Sequence, residues 1–542
     1  MTGDAAAPSV PRRSRRGRPA GAGLRGWVFL CALLGFLTTM SGTIASSDGH
    51  TMFLLTRSLA VRGAFDVPGG NTYPGVGGRQ YPKAGLGQAL LGVPAYWAAD
   101  RAADALPPLA RHREAWLKFV LQLLGPLAAA LTCRAFLGLA LELGAPPRRA
   151  LLATALLALA TPVWAYSKTF LTEPFSCFLL LAGFAAAFRF RLRGELRQAG
   201  WAGLAAGAAV LFKAALALPA LALAGYFLFA VAERARAAGP AATGGPDAPA
   251  AAAPRGAGPA AALGVAAAPI LACAALLLYS NHARFGRWLE SGYGFEQTAA
   301  AYGTPFYVGL YGQLLSAGKG LVWFAPPLLL LAAAWRPFAR AHRAEAWTLA
   351  GAFLSSLLLT SSFRAWAGDG SWGPRYLVPF VPLLMLPVAA ALGRPAGPGL
   401  RRWAWGLLLV GALVQWGGVS IYYGSYLREA GAYPYTRAFE DPRFLEDVHW
   451  VPNFSPIVGH WGMFRRNLAE HLRGRWPRVT LAEGAAAEPA GAGAGGALSE
   501  GGLRRLELGQ RAGVPARIPL SEADQARMLH GLDFWFLYPL YL

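Results

Sequence analysis

Residues 376–393, YLVPFVPLLMLPVAAALG, contain no charged side chain. At about 1.5 Å of rise per residue, a helix of this length spans most of a bilayer's roughly 30 Å hydrocarbon core. The run is one of many. Apolar length and basic flanks mark eleven spans, roughly 27–45, 115–139, 149–166, 169–188, 200–214, 216–232, 258–279, 319–335, 346–363, 376–393 and 403–424. The spans at 200–214 and 216–232 are short and read as a tight hairpin. Composition agrees, because only 14% of residues are charged where a soluble chain carries about a quarter. The fold expected is all-α and polytopic, with about 11 transmembrane helices.

The net charge of +22 raises nucleic acid as a partner, but the distribution argues against it. Arginine clusters in alternate connections: Arg12, Arg13, Arg15, Arg16, Arg18 and Arg25; Arg148 and Arg149; Arg189, Arg191, Arg193 and Arg197; Arg234, Arg236 and Arg255; Arg336, Arg340 and Arg343; Arg394, Arg401 and Arg402. Basic connections face the cytoplasm. The N-terminus is therefore expected inside and the C-terminus outside. The basic start followed by an apolar run resembles a signal peptide, but 27–45 is longer than such a core and reads as an uncleaved span. Cys31, Cys133, Cys177 and Cys273 sit in apolar runs without metal or disulfide spacing.

This topology divides the chain into a basic cytoplasmic tail (1–25), a membrane domain (26–424) with a long first outward loop (46–114), and an outward C-terminal region (425–542). Further outward pieces are 280–318 and 363–375. The inward segment 237–257 and the linker GAAAEPAGAGAGGA at 484–497 are low in complexity. The chain ends in FWFLYPLYL, whose aromatics suit a membrane interface. No matched halves of the kind seen in many transporters are evident.

Chemistry is sought where charge meets an apolar run. Asp48 follows the first span in IASSDGHT; it reads as an N-cap or as a carboxylate held at the membrane surface, where low dielectric raises proton affinity unless cations compensate. Glu173 opens the fourth span in FLTEPFSCF, either complementing the helix dipole or functional. Lys83, beside Tyr81 in RQYPKAGLG, can hold a phosphate as a point charge or merely snorkel. Arg375 lies beneath the loop WAGDGSWGP, suited to clamping phosphate or to pairing with Asp369. The chain has only five lysines, Lys83, Lys118, Lys168, Lys213 and Lys319, and all fall at outward loops or outward span ends. Lys83, Lys168 and Lys213 are expected to ring an anionic site.

An inside N-terminus, an acid after the first span and a Tyr-x-Lys segment in a long first loop resemble the GT-C membrane glycosyltransferases, particularly the group of protein O-mannosyltransferases and lipid A aminoarabinose transferases. FLTEPFSCFLLL, GLAAGAAVLFKAALALPAL and WGPRYLVPFVPLL are similar to bacterial members, and the resemblance covers roughly residues 26–424. It implies a polyprenyl-phosphate-linked sugar donor, transfer on the extracytoplasmic face, and a glycan, lipid or protein acceptor. Asp48 matches the first-loop acid and is expected to be the catalytic base of an inverting displacement, Lys83 matches the lysine associated with the lipid phosphate, and Glu173 loosely matches the second outer-loop acid as a second catalytic group; the location implied is a bacterial inner (plasma) membrane. Tyr81, Lys168, Lys213 and Arg375 are then expected around the phosphate. No cofactor is assigned, and a divalent metal at the acids is left open. Two features depart from the pattern: Gly49 stands where relatives have a second acid, and Ala84-Gly85 where they have Pro-Pro. The competing expectations are a transporter or flippase of a lipid-linked glycan, which needs charges along a path through the bilayer, and a non-catalytic scaffold acting through the C-terminal region.

Overall fold

The computed structural model describes residues 22–44, 46–83, 85–237, 258–294, 298–368, 370–393, 398–430, 447–474 and 531–540. The basic tail to residue 21, most of the inward 237–257 segment, Asp369 and the 484–497 linker lie outside the described residues. The protein is a helical bundle. Its sheet, among the described residues, is one antiparallel hairpin in which Thr72–Pro74 pairs with Gln80–Pro82, Tyr73 facing Tyr81.

Six helices among the described residues are long and apolar enough to cross a membrane: Arg113–Glu142, Glu173–Arg193, Ala214–Ala237, Pro259–Phe285, Arg375–Gly393 and Gly399–Ser420. The expected eleven do not appear as eleven unbroken spans, and proline explains part of the difference. The 149–166 run ends as a helix at Leu159 and restarts as Pro162–Ser167, capped by Thr161. The 319–335 run divides at Pro326 and Pro327 into Leu321–Phe324, a tight turn Pro326–Leu330, and Leu331–Ala341. A proline has no N–H for the helical ladder and collides with the preceding turn. Hydropathy counts composition and is blind to that break. The first run forms the helix Ala22–Thr38, and the chain beyond it is irregular until Ser47.

Glu173–Arg193 is deeply buried, with Leu180, Leu181 and Phe184 fully enclosed. It packs against Leu124–Glu142, Leu196–Phe212 and Ala217–Ala237. Leu196–Phe212 also packs tightly on Pro259–Phe285. A Cβ added at Gly203 would lie 2.0 Å from the Ala266 carbonyl oxygen, so the two backbones meet directly. Close approach through small residues is how helices associate in lipid, where burial of apolar surface gives no advantage.

Ionic groups collect at the two ends of the Glu173–Arg193 helix. At its C-terminal end Arg191 pairs with Glu233 and the buried Glu345, and Arg189 with Glu142. At its start stands Glu173. Eighteen residues of helix place these ends about 27 Å apart.

Candidate active site

Asp48 sits in the first turn of the helix Ser47–Arg62, whose N-cap is Ser46; the serine hydroxyl accepts from Gly49 N–H at 3.0 Å. The capping role considered for Asp48 therefore belongs to Ser46, which leaves the carboxylate to face elsewhere. Oδ1 accepts from Asn71 Nδ2 at 2.6 Å and Oδ2 from Arg375 Nη1 at 2.8 Å. Asn71 is held in turn, because its backbone N–H donates to Thr51 Oγ1 at 2.8 Å. The side chain remains 37% exposed. Burial pushes the Asp48 carboxyl upward, but the Arg375 guanidinium and the Lys83 ammonium outweigh it, and the pKa falls to about 2. The raised proton affinity expected for a carboxylate at a low-dielectric surface is thus reversed by its cations.

Glu173 is fully buried. Its Oε1 accepts from Arg375 Nε at 2.9 Å and from Lys213 Nζ at 3.1 Å. Oε2 is buried without a hydrogen-bond partner among the described residues. Arg375 thus bridges both acids with different nitrogens of one planar fork, a geometry an ammonium cannot reproduce. It starts the turn Arg375–Phe380, just after Gly373 at φ +64°. There a Cβ would also press to 2.7 Å from the Phe324 ring.

Lys213 comes from a break in a hairpin. It is extended (φ −152°, ψ 110°) between Leu196–Phe212 and the turn Ala214–Leu216, which turns its side chain into the site. Its Nζ lies 5.2 Å from the Tyr376 ring centre, close enough for attraction to the ring face. Lys83 follows the second strand. The carbonyl of Pro82 is gripped by Arg284 Nη1 at 2.7 Å, from the end of Pro259–Phe285. Two residues on, a Cβ at Gly85 would lie 2.4 Å from the carbonyls of Leu211 and Phe212. The segment after Lys83 therefore runs flush against the helix end that leads into Lys213. Lys83 Nζ lies 5.8 Å from the Tyr293 ring centre.

Two expected phosphate contacts are placed elsewhere. The Tyr81 hydroxyl donates to the Val76 carbonyl at 3.2 Å, and its ring packs on Phe285. Lys168 is buried and pairs with Asp533 at 2.8 Å. Of the three lysines expected to ring the site, Lys168 is held away by Asp533; of the other two lysines, Lys118 pairs with Glu114 and Lys319 donates to the Ser371 carbonyl. Asn71, Tyr376, Tyr293 and Arg284 were missed. Only Arg284, a charge at the end of an apolar run, carried a readable signal.

The site can hold anions: Lys83, Lys213 and Arg375 approach from three segments, while Asp48 offers a partly exposed acceptor. Among the described residues no group of three or more His, Cys, Asp or Glu gathers for a metal. The cations hydrogen-bonded to the two acids are Arg375 and Lys213, with the Lys83 ammonium acting on Asp48 through its charge.

No family model and no curated relative matches the sequence. Among solved structures, the chain is similar to ArnT from Cupriavidus metallidurans bound to undecaprenyl phosphate, at 14% identity and a TM-score of 0.47 over 85% of this chain and 81% of that one. It is similar to the apo state of the same protein at a TM-score of 0.43 and 14% identity, over 84% and 80%. The apo oligosaccharyltransferase of Archaeoglobus fulgidus matches at 0.42 and 12% identity, over 82% and 64%.

Proposed function

We propose that the protein is a glycosyltransferase that moves a sugar from a polyprenyl-phosphate donor to an acceptor on the extracytoplasmic face of the bacterial inner membrane. The observation that carries this reading is the bridge Asp48–Arg375–Glu173–Lys213, drawn from four segments far apart in sequence and set at one end of an apolar bundle. The arginine-rich cluster lies at the other end of the same helix, which supports an outward position for the acids. Candidate charges gathered at one end favour surface chemistry over a transport path.

In the reaction, an acceptor oxygen attacks the anomeric carbon and forms the new glycosidic bond. The bond from that carbon to the phosphate oxygen breaks in line, inverting the centre, and its electron pair leaves with the lipid phosphate. Lys83, Lys213 and Arg375 stabilise that leaving charge as fixed positive groups. Asp48, with its low pKa, stays ionised and accepts the acceptor's hydrogen bond. It takes the proton late, when the new bond has made that proton acidic. Glu173 holds Arg375 and Lys213 in place, and its unpaired Oε2 is a second acceptor at the site.

Incubating the purified protein with radiolabelled polyprenyl-phosphate sugars and a membrane extract tests the reading. Label should move to a new product with wild type and not with Asp48→Asn. Equal transfer by both proteins would remove the mechanism.

A further inference from the structure

The last described residues of the chain return to the segments that carry the two acids. Asp533 accepts from Ser41 Oγ at 2.9 Å through Oδ1 and from Lys168 Nζ at 2.8 Å through Oδ2. Its backbone N–H donates to the Ser420 carbonyl at 2.8 Å, and that of Trp535 to the Met40 carbonyl at 2.9 Å. Lys168 also donates to the carbonyls of Val419 (2.7 Å) and Ile421 (3.2 Å). The Lys168 and Asp533 side chains are only 2% and 5% exposed. Leu532 and Phe534 pack with Ile421 and Met463, and Asn467 Nδ2 donates to the Gly531 carbonyl at 3.0 Å.

Ser41 lies seven residues before Asp48, and Lys168 five before Glu173. One carboxylate thus ties together the two irregular segments that deliver the acids. A small pocket of about 20 Å³, room for roughly one water, lies between them, lined by Ser41, Ile44, Gln122, Lys168, Phe170 and Asp533. The segment leading to Asp48 is buried at Met40, Ser41 and Ile44, and the Asp533 hydrogen bonds fix its polar groups. Gln122 Nε2 donates to the Lys168 carbonyl, which adds a second tie on the 168–173 segment.

We propose that Asp533 is a positioning residue of the Asp48–Glu173 site, holding the 40–48 and 168–173 segments in register from the far end of the chain. The proposal rests on the glycosyl-transfer reading for its catalytic consequence. A buried pair that served stability alone could be exchanged for apolar residues of similar volume. A positioning pair could not, because Ser41 and Lys168 converge on one carboxylate.

The test uses the full chain in detergent, comparing wild type with Asp533→Asn and Asp533→Glu by hydrogen exchange and by turnover of a radiolabelled polyprenyl-phosphate sugar. In Asp533→Asn, exchange should quicken by roughly tenfold in residues 39–49 and 168–173, and stay unchanged in Leu196–Phe212 and Pro259–Phe285. The kcat should fall by up to roughly 10²-fold, the scale of a small misplacement of reacting groups, with little change in donor KM. Asp533→Glu should recover most of both. Unchanged exchange in the two segments, or loosened segments with wild-type kcat, overturns the proposal. If Asp533→Asn loses protection everywhere, the Lys168→Met, Asp533→Leu double variant replaces it; retained protection of both segments there also overturns it. A wild type that turns over no polyprenyl-phosphate sugar defeats the functional reading, while the exchange comparison still decides the tether.

Discussion

Arg375 holds Asp48 at 2.8 Å and Glu173 at 2.9 Å through separate nitrogens of one guanidinium. Lysine carries the same charge but cannot serve two carboxylates in this planar fashion. Arg375→Lys is expected to lower turnover by roughly 10²-fold. Arg375→Ala should also cost about 3–5 kcal/mol of stability, the scale for breaking a buried pair. Steady-state kinetics and thermal unfolding in detergent check both outcomes; wild-type turnover by the lysine variant would contradict the bridging role.

The two acids should respond differently to neutralisation. Asp48→Asn is expected to reduce kcat by roughly 10²–10⁴-fold with only a modest fall in melting temperature, because that side chain is partly exposed. Glu173→Gln should lower turnover less but melting more, because it strips the neutralising charge from two cations in a buried place. Measuring both quantities on both variants separates the roles, and a reversed order would exchange the assignments.

The pH dependence follows from the sign of the Asp48 shift. Its pKa in the folded protein, about 2, lies below the ordinary 3.8. The stabilisation of the folded state is therefore fully present above the ordinary value and is lost as pH falls through about 2. Any acid limb in kcat/KM due to Asp48 should lie well below the usual carboxylate range. In Arg375→Met the strongest lowering influence is gone while burial persists, so the limb should move to higher pH. A pH–rate profile of the two proteins gives the answer, and coincident acid limbs would refute the coupling.

Gly49 marks where the chain departs from the pattern of paired first-loop acids. A Cβ there would lie 2.9 Å from the Phe170 carbonyl oxygen and 2.6 Å from Ser46 Oγ. Gly49→Ala should push the turn before Glu173 away from the Asp48 helix, costing about 1–3 kcal/mol as in other overpacked sites, together with turnover. Gly49→Glu should be worse rather than activating. Thermal unfolding with activity assays tests this, and an active, stable Gly49→Glu would show that the contact yields.

How much of this was legible depended on whether the signal was local. Asp48, Glu173, Lys213 and Arg375 stood out because they are charges at outward span ends, away from the arginine-rich inward connections, and the structure brings those four together. Asn71 is neutral and sits in a turn, so nothing in its surroundings distinguished it. Lys168 looked like the other outward lysines, since its partner Asp533 lies 365 positions later. The helical class could be read from apolar content, but the number of unbroken spans could not. Pro162, Pro326 and Pro327 interrupt runs that remain apolar throughout.

Asp533 lies 492 positions after Ser41 and 365 after Lys168. During synthesis, every helix of the bundle emerges before the carboxylate that joins Ser41 to Lys168 exists. A chain cut short after residue 530 would carry all the long apolar helices and the four residues of the Arg375 bridge, yet lack this tie.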